Sequence, residues 1–335
     1  MFKKNVRLAF LVTFLLLACR PEKENAPVFL EGNAFGTTFH ITYFDLKKRD
    51  FSAAIDSLFN TVNRSLSTYI PSSDISRINK GDTSVVVDSY FVEVFDKSQR
   101  IYQETKGVFD PTIGVLVNAW GFGPAGEKAI PDSASVKKLL HLVGFDKVAL
   151  KNNKVIKPND SIYFDFNAIA KGYAVDVAGR FLESQGIADY LVEIGGEIRA
   201  KGKNTAKELP WTVGIETPNF DGSRSIQKKI RFRDESIATS GNYRKFKTDS
   251  TTGRRYTHIL NTHTGYPSQT DLLSVSVMGN MDCADVDGYA TAIMAMPLQE
   301  AIRFFEAHPE LKGYIIYNND KNELETYSTP DFESF

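Results

Sequence analysis

The segment YLVEIGGEIRAKG, residues 190–202, holds two short runs of β-forming residues separated by Gly195-Gly196. A Gly-Gly pair between two such runs signals a hairpin, which pairs its strands antiparallel. Further strand candidates are 37–44, 147–150, 161–166, 211–217, 225–232, 257–260 and 272–279. Between them run amphipathic segments of helical period. One covers about 52–65, with Ile55, Leu58, Phe59 and Val62 on one face. Others follow Asp88 or Ser89 as far as Gly107, Asp132 or Ser133 as far as Gly144, and Asn167 as far as Gly186. A last one is DVDGYATAIMAM, 285–296. Interspersed helices with hairpin-like strand neighbours specify an α+β fold with mixed or antiparallel sheets rather than a doubly wound parallel one.

The 335 residues are 42% hydrophobic and 24% charged, which supplies a sizeable core. No internal repeat or low-complexity tract interrupts them. A net charge of −1 gives no broad positive field, so nucleic acid is not an expected partner.

The amino terminus has a separate purpose. Lys3, Lys4 and Arg7 precede an apolar run from Leu8 to Ala18 that is too short to span a bilayer comfortably. Residues 1–18 read as a signal peptide, and LLAC at 16–19 resembles a lipobox in which Cys19 is lipidated. The alternative is a plain signal anchor that contains a Cys. Residues 19–29, polar and Pro-containing, read as lipidated Cys and tether, and 30–335 as a single domain. Loss of residues 1–18 removes three basic and no acidic groups, taking the formal charge from −1 to −4. With Cys19 lipidated, Cys283 is the one remaining thiol, so a metal site must use oxygen or His ligands.

Among the five His, His40, His141 and His308 read as surface or satisfied core residues. His258 and His263 fall in THILNTHTGYPSQT, 257–270, a polar turn rich in Thr, Gly and Pro, and are acid–base candidates. YFDFNAIAKGYAVD, 163–176, carries Asp165 into a helix start at which Lys171 and free N–H groups favour an anion. In TKGVFDPTIGVLVNAWGFG, 105–123, Trp120 and Phe122 are either ring-stacking partners or core. Arg244, Lys245, Lys247, Arg254 and Arg255 mark a basic hairpin. Asp287 and Thr291 stand four residues apart, side by side on a helix that otherwise looks built for burial. Gly288 and Ala290 leave room beside them, whereas Asp285 points elsewhere and is expected to be dispensable.

Taken together, FGTTFHITY, LSTYIPSSDISRIN, GVFDPTIGVLVNAWGFG, FDFNAIAKGYAVD, EIGGEIRAKG, IATSGNYRKF, HILNTHTGYP and ADVDGYATAIMAM occur in one order. In that order they resemble the ApbE family of FAD:protein FMN transferases over residues 33–297. The resemblance implies a two-lobed, T-fold-like unit that splits the pyrophosphate of FAD. FMN passes to a Ser or Thr hydroxyl of an acceptor flavoprotein subunit, and AMP leaves. It also implies Mg²⁺ held by the Ala168 carbonyl, Asp287 and Thr291, whose hard oxygens suit that ion.

FAD contacts are implied for Phe35, Tyr69, Val108, Phe109, Asp110, Asp165, Lys171, His258, Thr264 and Gly265, with His258 or Asp287 as the base. Departures from the family pattern are Phe35 in place of Met, Asn242 in place of Asp, and Asn261-Thr262-His263 in place of Asp-Pro-x. His263 is an alternative acid–base group. The expected setting is export and lipid anchoring at the periplasmic face of a bacterial membrane. Two other readings are hydrolysis of FAD to FMN and AMP, and a flavin-binding lipoprotein without turnover.

Overall fold

The computed structural model describes residues 26–126, 128–243, 246–248 and 255–333. Residues 1–18, read as a signal peptide, and Cys19, Arg244, Lys245 and Arg254 lie outside the described residues.

The chain enters the fold through a hairpin of β1 (Pro27–Ala34) and β2 (Thr37–Phe44). Strand β1 begins inside the segment expected to be tether. Its turn, Phe35-Gly36, has φ of 53° and 76°, the pair of positive values that a tight hairpin turn requires. Helices α1 (Ser52–Leu66), α2 (Asp74–Asn79), α3 (Ser89–Glu104), α4 (Gly114–Ala119) and α5 (Ser133–Leu140) follow. Side chains cap three of them: Ser73, Asp88 and Asp132 each accept from a backbone N–H in the first turn. The small hairpin of β3 (Ala149–Lys151) and β4 (Lys154–Ile156) precedes α6 (Ala170–Ser184).

The hairpin read from Gly195-Gly196 is β5 (Tyr190–Ile194) and β6 (Glu197–Lys201). Next come a separate hairpin, β7 (Trp211–Glu216) with β8 (Ile226–Phe232), then β9 (Glu235–Gly241). A second separate hairpin joins β10 (Phe246–Thr248) to β11 (Arg255–Thr257). The chain continues with β12 (Leu272–Gly279), α7 (Cys283–Met294), α8 (Leu298–Ala307), β13 (Lys312–Asn318) and β14 (Leu324–Ser328).

Eight strands form one sheet in the order β1-β2-β5-β6-β9-β12-β13-β14, and each neighbouring pair is antiparallel. The sheet is therefore a meander whose connections are inflated by helices and hairpins. This is the α+β class read from the sequence.

One face of the sheet packs against the helices, with Ile41, Tyr43, Val192, Ile194, Val275 and Val277 in the same core as Phe59, Ala174, Val286 and Ala290. The β7–β8 hairpin covers the other face, through Trp211, Ile215, Ile230 and Phe232 against Phe44, Ile198 and Met278. Strand β12 is consequently buried along its whole length. A smaller third core joins Leu116, Trp120, Phe122, Val136, Val143 and Leu260.

Two expected strands are not strands. Residues 161–166 form an extended link with a single parallel bridge, Ile113 to Tyr163, and of residues 257–260 only Thr257 belongs to a strand. Both segments are apolar because they cross the core, not because they join a ladder. Helix α6 starts at Ala170 rather than near Asn167, because Asp165 Oδ1 accepts from Asn167 N at 2.8 Å and holds a turn there.

Candidate functional site

A cleft of about 1500 Å³ opens between the β1–β2 turn, the start of α6, the start of β6, the end of β9, and α7. Its lining includes Phe35, Tyr69, Val108, Phe109, Asp110, Asp165, Ala168, Lys171, His258, Asp287 and Thr291. Residues scattered over more than 250 positions thus meet in one cavity. Thr264 and Gly265 do not line it. Thr264 faces a second hollow of about 510 Å³, together with Trp120, Tyr256 and Tyr266, while the Gly265 carbonyl accepts from Trp120 Nε1 at 2.9 Å.

The floor of the cleft is made where α6 meets α7. Asp287 is buried, and its Oδ2 accepts from Gly172 N at 3.0 Å. Burial raises its pKa, against the opposing pull of Lys171 and the Gly172 N–H. Lys171 Nζ lies 2.7 Å from Glu197 Oε1 and 4.0 Å from Asp287 Oδ2. Burial alone would lower the Lys171 pKa, but the two carboxylates raise it, so the ammonium stays charged. Burial pushes Glu197 up to about 7, with Lys171 opposing and Asp287 adding to the rise.

One turn after Asp287, Thr291 Oγ1 is 3.1 Å from Ser240 Oγ, which ties α7 to the end of β9. The Ala168 carbonyl accepts no hydrogen bond among the described residues. Asp287, whose Oδ2 is the atom bonded to Gly172 N, keeps its Oδ1 as a further oxygen at the cleft lining. These oxygens suit a hard divalent cation, because the set offers a single carboxylate and leaves room for water and phosphate oxygens. Among the described residues no cluster of three or more His, Cys, Asp or Glu is poised for a metal.

The upper wall is the loop after β11. His258 lines the cleft with its ring against Phe122, centroids 6.4 Å apart. Thr262 Oγ1 donates to the Gly107 carbonyl at 2.6 Å, fastening this loop to the turn that presents Val108 and Phe109. Asn261 Oδ1 accepts from the N–H groups of His263 and Thr264 at 3.0 and 2.9 Å, so it caps its own turn rather than orienting His258. His263 is exposed and lies outside the cleft lining. Asn242 Nδ2 donates to the Leu272 carbonyl at 2.7 Å and pins β9 to β12.

Asp110 is a structural carboxylate at the cleft edge. It accepts from Thr112 N and Oγ1 at 2.8 and 2.6 Å and from Phe145 N at 3.1 Å. Burial raises its pKa to about 6, against those hydrogen bonds.

Comparison with known proteins matches this architecture. The sequence model of the ApbE family covers residues 35–315. The chain belongs to the ApbE family. It is 36% identical over 339 residues to the FAD:protein FMN transferase of Vibrio cholerae, covering 99% of both chains. To the FAD:protein FMN transferase of Haemophilus influenzae it is 32% identical, covering 97% of this chain and 96% of that one. The solved structure of the flavin transferase ApbE from Vibrio cholerae superposes with a TM-score of 0.80 at 34% identity, covering 92% of this chain and 98% of that chain.

Within this ApbE chain, several site residues carry no loud sequence signal. Glu197 reads as one more residue after a Gly-Gly turn, although it holds Lys171. Ser240 lies in a Gly-containing segment absent from the strand candidates, and that segment is strand β9. Gly172 allows the closest approach of α6 to α7, since a Cβ there would lie 2.4 Å from the Cys283 carbonyl oxygen.

Of the two readings of Trp120, the core one holds: it is 3% exposed and packed on Tyr256 and Tyr266. Two expectations about neighbouring residues need correction. Gly288 packs on Ile101 and Phe109 instead of opening space beside Asp287. Asp285 is not idle: it pairs with Lys97 at 3.1 Å and Arg100 at 2.6 Å, anchoring α7 to α3.

Proposed function

We propose that this chain transfers FMN from FAD to a Ser or Thr hydroxyl of an acceptor protein. The hydroxyl oxygen forms a bond to the FMN phosphorus, the pyrophosphate bond to the AMP moiety breaks, and the hydroxyl proton leaves to a base. The observation that carries this reading is the convergence of Asp287, Thr291 and the open Ala168 carbonyl beside Lys171 in one large cleft. Those three oxygens would hold Mg²⁺, which when bound supplies charge neutralisation for the departing phosphate.

Lys171, kept protonated by its two carboxylates, adds fixed positive charge at the phosphate end of the site. With Asp287 assigned to the cation, His258 on the upper wall is the other of the two base candidates and would take the acceptor proton. Phosphoryl transfer asks for positioning and charge more than for a protein nucleophile, in keeping with a cleft built of oxygens and one ammonium.

The leader and Cys19 support export and a lipid anchor at the periplasmic membrane surface, which would bring membrane flavoprotein subunits within reach. Among the described residues no helix is long and apolar enough to cross a membrane.

The test is incubation of the purified chain with FAD, Mg²⁺ and a Thr-bearing acceptor, followed by a denaturing gel. A fluorescent acceptor band is expected. Release of FMN and AMP without labelled acceptor would establish hydrolysis instead, and FAD bound but unconsumed would establish a carrier.

A further inference from the structure

Two of the hairpins that stand outside the main sheet, β7–β8 and β10–β11, converge over the cleft through a pair of phenylalanines. Phe220, in the β7–β8 connection, and Phe246, the first residue of β10, have ring centroids 6.4 Å apart and both line the cavity. Phe220 is 43% exposed, an apolar ring held at the rim of the cleft.

Its loop is fixed in place. Thr217 N donates to the Ser225 carbonyl at 2.9 Å, Asn219 Nδ2 to Ser225 Oγ at 3.0 Å, and Ser223 N to Asp221 Oδ1 at 2.9 Å. Arg224 Nε closes the loop base on Glu216 Oε1 at 2.8 Å. A loop braced by these bonds that presents an exposed aromatic ring to a ligand cavity has the form of a stacking platform.

FAD carries two flat ring systems at its ends. The α1–α2 connection supplies one exposed aromatic to the cleft, Tyr69, and the β1–β2 turn supplies Phe35. Phe220 and Phe246 come from a different wall, and the residues implied by the family pattern include neither. We infer that Phe220, backed by Phe246, stacks on one of the two planar rings of the dinucleotide and is a specificity-determining residue of the site. This inference rests on FAD being the substrate of the cleft.

The test is equilibrium binding of FAD, AMP and FMN, each as a separate probe, to the wild-type chain and to Phe220→Ala, Phe220→Leu and Phe220→Trp. The Ala variant should weaken FAD binding roughly five- to a hundredfold, the span that ring stacking gives on truncation. Leu should stay weak, since it restores apolar bulk without a π face, and Trp should recover affinity. One fragment alone, AMP or FMN, should lose affinity in parallel and thereby name the ring.

Unchanged FAD binding in the Ala variant, or full recovery with Leu, would overturn the platform. An equal loss for both fragments would also overturn it, as it would mark a general disturbance of the cleft. Thermal melts of each variant confirm folding, and a wild-type chain that binds none of the three probes would overturn the FAD reading itself.

Discussion

The backbone N–H of Gly172 donates to Asp287 Oδ2 at 3.0 Å, joining the first turn of α6 to the middle of α7 at the floor of the cleft. The contact is possible because residue 172 has no Cβ. Replacing Gly172 with Ala would set a methyl 2.4 Å from the Cys283 carbonyl oxygen, a backbone atom that cannot swing aside. The helices must part, at a cost of about 1–3 kcal/mol, as for other overpacked cores. Urea unfolding should show that loss, and FAD turnover should fall with it, because Asp287 loses its donor.

Lys171, half-buried at the cleft, pairs with the buried Glu197 beside Asp287. Lys171→Met should destabilise the chain by about 3 kcal/mol, since it strands two carboxylates in the core. Adding Glu197→Gln should return most of that stability while leaving turnover low. A double-mutant cycle in urea, run alongside the activity assay, separates the two effects.

Thr262 Oγ1 bonds the Gly107 carbonyl across two walls of the cleft. Thr262→Val keeps the shape but removes the donor, and should cost about 1 kcal/mol. The wall carrying His258 then loosens against Val108 and Phe109, so KM for FAD should rise more than kcat falls.

Asp45 accepts from Arg49 Nε at 2.7 Å and from the N–H groups of Lys47 and Arg49 at 3.1 Å each. The Arg49 hydrogen bond leads in holding its carboxyl down at about 2, below its usual value of 3.8. Between those two values the unfolded chain binds the proton that the folded chain refuses. Asp45 therefore contributes stability above about pH 4, which is lost as pH falls through about 2. The contribution is on the order of 1 kcal/mol, because Arg49 is partly exposed to solvent. Asp45→Asn should flatten this part of the acid limb, read from urea midpoints at pH 3 and pH 7.

Legibility in the sequence followed how local each signal was. The β5–β6 hairpin was readable because Gly195-Gly196 sits between two clean β runs, and the helices at 52, 89 and 133 carried periodic apolar faces. Residues 161–166 misled because a core-crossing link and a buried strand share one composition. Strand β9 was hidden by Thr239, Ser240 and Gly241, polar or small residues that face the cleft rather than a core. In the site, Asp287 and Thr291 stood out against an apolar helix. Glu197 and Gly172 did not, because their roles exist only once β6 and α7 have been brought to α6. Thr264 and Gly265, adjacent in sequence to cleft residues, turn to the other side of their loop.

The central claim is that Asp287 belongs to the centre that moves FMN onto protein. The most direct measurement is the intact mass of an acceptor protein after incubation with FAD, Mg²⁺ and either the wild-type chain or Asp287→Ala. The account predicts one added FMN per acceptor with wild type, and none with the variant under conditions where its thermal melt shows a folded chain. Labelling by the variant at the wild-type rate would contradict it.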